Sequence, residues 1–149
     1  MPATIDSVGE RDLTAARRFA RVVFTVAGVW GVLIMTPLYF AYDAIGRAYP
    51  PPLTHPDIYY GFVGVTLVWQ IAFLLIGSDP PRYCPLMLVA FLEKGVYVGS
   101  MALLFALGHL QSVQAATIIV PDGTLGVLFV VAYLRLSRAL RRPAAARAV

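Results

Sequence analysis

The sequence predicts an all-α protein: a four-helix transmembrane bundle with both termini cytoplasmic. Three observations carry that expectation. Of 149 residues, 59% are hydrophobic and only 13% are charged, whereas soluble domains run about 45–50% apolar and about 25% charged. A water-soluble core of this size has no room to hide so much apolar surface, and lipid removes the need to. The apolar residues gather in four runs, each close to the roughly 20 residues a helix needs to cross hydrocarbon. Finally, the basic residues flank those runs almost entirely on one side.

Residues 1–21 form an N-terminal cytoplasmic segment. Ser7-Val8-Gly9-Glu10 has the spacing of a capping box. It predicts a cytoplasmic helix that leads into the first span and sets Arg17, Arg18 and Arg21 at the headgroups. The transmembrane domain covers residues 22–138. Its first span, about 22–42, carries no charge before Asp43. That run is too long for a signal-peptide core and no small-residue cleavage motif follows, so it is expected to stay as an anchor. Pro37 is expected to kink it.

The connection DAIGRAYPPPLTHPDIYY contains Pro50, Pro51 and Pro52, which favour polyproline II and forbid a helix there. His55, Asp57, Tyr59 and Tyr60 lead back into the membrane as an aromatic belt. A proton-handling or metal pair of His55 and Asp57 is the alternative, but a metal centre needs further ligands. No metal is therefore predicted. The second span, about 59–76, is closed by Gly77-Ser78-Asp79-Pro80-Pro81. The third, about 86–107, contains Glu93 and Lys94. The fourth, about 116–136, has Pro121 and Asp122 near its outer end, where a proline in the first turn and an acid at the positive dipole end suit a helix start. Residues 139–149, rich in alanine and arginine, read as a flexible cytoplasmic tail.

Orientation follows from the loops. Arg11, Arg17, Arg18 and Arg21 precede the first span, Arg82 joins the second to the third, and Arg135, Arg138, Arg141, Arg142 and Arg147 follow the fourth, against Arg47 alone on the other side. This bias places both termini in the cytoplasm. The same distribution removes nucleic acid as the reason for the net charge of +4, because the basic residues bracket spans instead of forming a patch. Cys84 is the single cysteine, which excludes an intramolecular disulfide and a CxxC redox centre. No nucleotide loop, zinc motif or nucleophile–base constellation is present, so no cofactor is expected.

The polar residues inside the spans carry the functional signal. A charge at the bilayer centre costs about 2.5–3.5 kcal/mol, so it faces protein or water. At about 100° per residue, Glu93, Tyr97 and Ser100 share one face of the third span, and Gly95 and Gly99 the opposite one. The first face reads as a polar lining. The second is a GxxxG-like groove that admits another backbone, within the chain or from a second subunit. The third span is thus expected to be central, with neighbours on two sides. Lys94 projects about 100° from Glu93, so adjacency does not make them partners. It is expected to snorkel inward or to meet Glu93 of another subunit.

Gln70, on a face with Thr66, lies at the depth of Glu93 and could share a polar layer with it and Tyr97. Asp122 is either a helix cap or, with Asp43, Tyr39 and Tyr42, the lining of a pocket open to the outer side. Catalytic candidates are therefore Glu93, Lys94 and Tyr97, and ligand-binding candidates Gln70, Ser100, Asp122 and Asp43. Gly95 and Gly99 are the packing candidates.

The segments HPDIYYGFVGVTLVWQIAFLLIGSDPPRYCPLMLVAFLEKGVY and PDGTLGVLFVVAYLRLSR resemble small bacterial four-span membrane proteins and, more distantly, the DoxX-like class. The resemblance implies a four-helix bundle in a bacterial inner membrane, and carries no residue roles. Three functions remain open. The first is a bundle that binds a lipophilic small molecule, or an accessory subunit beside a partner membrane protein. The second is a small enzyme in which Glu93 moves a proton on a lipid, quinone or isoprenoid. The third is a proton-coupled transporter working as a homo-oligomer. Membrane lipids are expected partners in each.

Overall fold

The computed structural model describes residues 3–48 and 52–146. Among them the chain forms five helices and no strand: α1 (Ala3–Leu38), α2 (Tyr42–Ala48), α3 (Pro56–Ser78), α4 (Leu86–Ala106) and α5 (Ser112–Ala146). Four stretches are long and apolar enough to cross a membrane: Gly9–Leu38, Pro56–Ser78, Leu86–Ala106 and Ser112–Arg141. The all-α bundle is therefore present, with boundaries that differ in instructive ways.

The cytoplasmic segment and first span are one continuous helix. It starts at Ala3, so Ser7 sits inside it and does not cap it; the Ser7 side chain lies outside the described residues. Alanine and arginine, both strong helix formers, carry the helix through Ala15-Ala16-Arg17-Arg18. At the other end α1 stops at Leu38, four residues before the expected Tyr42, just past Pro37. Tight backbone bonds from Tyr39 to Thr36 and from Phe40 to Pro37 turn the chain into α2. Asp43 lies in the first turn of α2, not at the end of a span. Pro50 and Pro51 lie outside the described residues, as do Arg147 and the Arg142 side chain.

Helix α4 ends where Gly108 takes a φ of 77°. The amide of His109 donates to Leu104 and that of Gly108 to Phe105, the paired bonds of a Schellman stop, for which glycine is suited. Helix α5 then begins early, because Gln114 Oε1 accepts the backbone N–H of Gln111 at 3.0 Å, half of a capping box. Asp122 consequently lies ten residues into α5 and is not its cap. The same helix continues to Ala146 through residues expected as tail, with Ala139 buried in the core.

In space the long helices run in the order α3, α1, α5, α4, and α3 and α4 scarcely meet. Helices α1 and α5 are thus the two inner ones, and α4 lies at an edge. Only 11% of the most apolar stretch of α4 is buried, against 28% for α1 and α3, which overturns the expectation of a central third span. The core is built on three fully buried rings from different helices. Phe24 stacks on Phe129 at 4.3 Å, and Phe73 meets Phe129 edge-on at 5.0 Å. Outward-facing residues such as Leu33, Val65, Val68 and Val96 leave a broad apolar surface, as a lipid-facing exterior requires.

The close helix crossing is between α1 and α3. A Cβ on Gly28 would stand 2.9 Å from the backbone oxygen of Gln70, one on Gly77 would stand 3.0 Å from the amide nitrogen of Thr25, and one on Gly31 would overlap the Gln70 side chain. Gly95 and Gly99 are exposed and have open space at their Cβ positions, so they pack against nothing among the described residues. The reason is the rotation of α4. Met87, Ala90 and Lys94 face inward, which swings Gly95 and Gly99 about 100–140° away. Gly31→Ala is expected to destabilise the bundle by about 1–3 kcal/mol through overpacking. Gly95→Ala should stay within about 0.5 kcal/mol of wild type; denaturant unfolding in detergent, followed by circular dichroism, reads both.

One end of the bundle is basic and the other aromatic. Arg21 Nη2 donates to Ser78 O at 3.2 Å, Arg17 stands 4.0 Å from Asp79, and the Arg135 guanidinium lies 5.1 Å from the Phe19 ring centroid. These contacts gather the start of the first span, the α3–α4 connection and the end of the fourth span. At the far end Tyr42, Tyr59 and Tyr60 pack within 5.2–5.8 Å of one another. Tyr59 Oη donates to Leu38 O at 2.8 Å, satisfying a carbonyl at the end of α1, and Tyr42 Oη donates to Leu53 O at 2.7 Å.

Candidate functional site

The four long helices leave a cavity of about 410 Å³ on the side where α3 and α4 diverge. Its polar lining includes Gln70 from α3, Glu93 and Lys94 from α4, and Asp122 from α5. Trp30, Ile34, Phe62 and Tyr97 supply apolar and aromatic wall. Glu93 lies seven residues into α4, and Asp122 ten residues into α5 from the opposite end. These positions correspond to depths of roughly 10 and 15 Å. The charged groups therefore meet deep within the span region.

Lys94 organises the site. Its Nζ is 2.5 Å from Asp122 Oδ1 and 3.5 Å from Glu93 Oε2, and 5.4 Å from the centroid of the Phe73 ring. Only 8% of its side chain is exposed. It neither snorkels nor waits for another subunit, as the sequence had led one to expect. Two facts explain this. Lys94 lies about 12 Å in from the end of α4, and the inward face of α4 is its own. Gly126, one turn beyond Asp122, lies beside the start of the Lys94 side chain: the Lys94 Cβ stands 3.5 Å from where a Gly126 Cβ would be, an ordinary contact distance. The stem lies along α5, so the ammonium reaches Asp122 and comes within ion-pair range of Glu93.

Two carboxyl groups thus share one ammonium. Glu93 Oε2 is buried and has no hydrogen-bond donor among the described residues; the ammonium near it makes an ion-pair contact only. Gln70, 3% exposed, donates from Nε2 to Thr66 O at 2.9 Å while its amide rests on Gly31. Across the gap between α3 and α4, the Phe62 and Tyr97 rings stack with centroids 6.0 Å apart.

The structure brings Gln70, Glu93, Lys94, Tyr97 and Asp122 to one cavity. It leaves two candidates out. Ser100 is exposed and donates to Val96 O at 2.8 Å, because the Lys94-centred rotation of α4 turns it to the outside. Asp43 is exposed on α2, carried off by the turn after Leu38. Asp43, Tyr39 and Tyr42 are not part of the cavity that Asp122 lines. Phe62 is a wall residue that the sequence reading passed over, although Phe62, Thr66 and Gln70 recur every four residues and so mark one face of α3.

Elsewhere the molecule is less suggestive. A hollow along Glu10, Arg11, Thr14 and Arg18 is lined by α1 alone and encloses nothing. Among the described residues no three His, Cys, Asp or Glu side chains are grouped to hold a metal. Cys84, in the α3–α4 connection, is buried, and that burial pushes its thiol above the usual range, which suits packing more than reactivity. Comparison with protein-family models, curated proteins and solved structures finds no match.

Proposed function

We propose that this α-helical membrane protein binds a lipophilic small molecule in the cavity between α3 and α4. The body of the ligand lies against Trp30, Ile34 and Phe62, and its polar end meets Gln70, Glu93 and the Lys94–Asp122 pair. One observation carries the reading: a cavity of about 410 Å³ with a mostly apolar lining and a few polar groups brought to it from α3, α4 and α5. Small-molecule sites have this construction and volumes of about 300–1,000 Å³. The limited contact between α3 and α4 supports access from the lipid, past the Phe62–Tyr97 rings.

The test is to purify the full chain from its native membrane and quantify retained small molecules by mass spectrometry. Wild type should retain a lipophilic compound in excess over bulk lipid. Thr66→Phe, which fills the cavity from α3, should lower its retention at least about tenfold, equivalent to 1.4 kcal/mol. Ser100→Ala, outside the cavity, should leave retention unchanged. Equal retention by folded Thr66→Phe would refute the reading. The placement of Glu93 and Tyr97 together in the wall favours one second reading, proton transfer on the bound molecule. That activity would appear as a conversion product lost in Glu93→Gln.

A further inference from the structure

We propose that the ligand is a lipophilic monocation, and that it binds in exchange for a proton on Glu93. This rests on the cavity being a small-molecule site, and adds the charge of the molecule it takes. The ionisable residues at the cavity are Glu93, Lys94 and Tyr97 from α4 and Asp122 from α5; the wall residues of α1 and α3 contribute none among the described residues. With both carboxylates ionised and the phenol neutral, the site carries one negative charge in excess.

An uncompensated charge in a low-dielectric site is costly, and such a site becomes neutral by taking up a proton or a counter-ion. The geometry says which carboxyl is concerned. Asp122 holds the Lys94 ammonium at 2.5 Å, while Glu93 has it only at 3.5 Å and its Oε2 accepts no hydrogen bond among the described residues. Asp122 and Lys94 therefore neutralise each other, and the proton belongs to Glu93.

An anionic ligand would find that ammonium already taken and would meet a carboxyl group instead. A cation meets an acid that can ionise beside it. The ring faces of Trp30, Phe62 and Tyr97 in the same wall suit a cation, above all a quaternary ammonium without N–H donors.

The exchange balances. Before binding, the Glu93 O–H bond is intact and the site is neutral. As the cation enters, that bond breaks, its electron pair stays on the carboxylate, and the proton passes to the aqueous phase. One positive charge replaces another, so neutrality holds at both ends. Raising the pH drives the proton off and tightens cation binding.

The experiment uses the full chain in nanodiscs and three probes of similar shape. These are benzyltrimethylammonium, its neutral carbon analogue neopentylbenzene, and the anion phenylmethanesulfonate. Binding is followed by tryptophan emission, and proton release by an indicator dye in weak buffer. Affinity for the cation should rise about tenfold per pH unit until Glu93 is ionised throughout, with one proton released per cation bound. The neutral probe should release none and show no pH dependence, and the anion should bind most weakly.

Glu93→Gln, which imitates the protonated acid, should fold like wild type, release no proton and bind the cation at least about tenfold more weakly. Cation binding no tighter than that of the neutral probe at every pH, or binding without proton release, overturns the proposal. So does a Glu93→Gln protein that fails to fold, because it would mean that Glu93 must be ionised at rest. If neopentylbenzene alone binds, the cavity reading stands and the cation does not. If no probe binds, the proposal fails, and the Thr66→Phe retention experiment still decides the cavity reading separately.

Discussion

Replacing Lys94 with methionine should destabilise the bundle by about 3–5 kcal/mol, the cost of removing one partner from a buried ion pair. Methionine is close to lysine in shape and removes little packing. What it takes away is the ammonium beside two carboxyl groups whose side chains are 18% and 20% exposed. Without it both acids must hold protons to remain inside, so the deficit should deepen as the pH rises. Adding Asp122→Asn should recover much of the loss, since the unpaired carboxylate goes with it. Unfolding in detergent at two pH values, for the single and double variants, tests both statements. A Lys94→Met protein as stable as wild type at high pH would show that the pair contributes nothing to folding.

Phe129→Ala should produce a loss of similar size, about 3–5 kcal/mol, for a different reason. Lipid is as apolar as the core, so burial from water is not the driving force between these helices, and packing must do the work. Phe129 is the ring that Phe24 and Phe73 both touch, and its removal opens a hole where α1, α3 and α5 meet. The effect should be independent of pH. Phe129→Leu, which fills most of the space, should recover part of it. The contrast in pH response between this site and Lys94 is itself the check, made on the same instrument.

The architecture was legible because helices long and apolar enough to span a membrane advertise themselves: length and apolar character are enough. The helix ends were harder. Nothing in the periodicity announces that Gln114 caps the backbone of Gln111, and so Asp122 looked like a terminus when it is an interior acid. The rotation of α4 was harder still. A helical wheel puts Glu93 and Ser100 on one side and Gly95 and Gly99 on the other, and both sides look like contact surfaces. What decides is a third direction, that of Lys94, whose partner Asp122 lies on α5. Pairwise information of that kind is absent from a single segment. The same holds for Gly28 and Gly31, which gain meaning only when Gln70 and Leu74 lie across from them.

Helices α3 and α4 are neighbours in sequence yet hardly touch, and α4 leans on α5 instead. This has a consequence for biogenesis. Chains are made from the N-terminus, so in a chain entering a bilayer helix by helix α4 arrives carrying an acid and a base before Asp122, 28 positions after Lys94, can follow it there. For that interval each of the two charges has the other as its nearest available companion. The adjacent pair, a poor salt bridge in the finished molecule, would then be what offsets both charges until α5 brings the better partner.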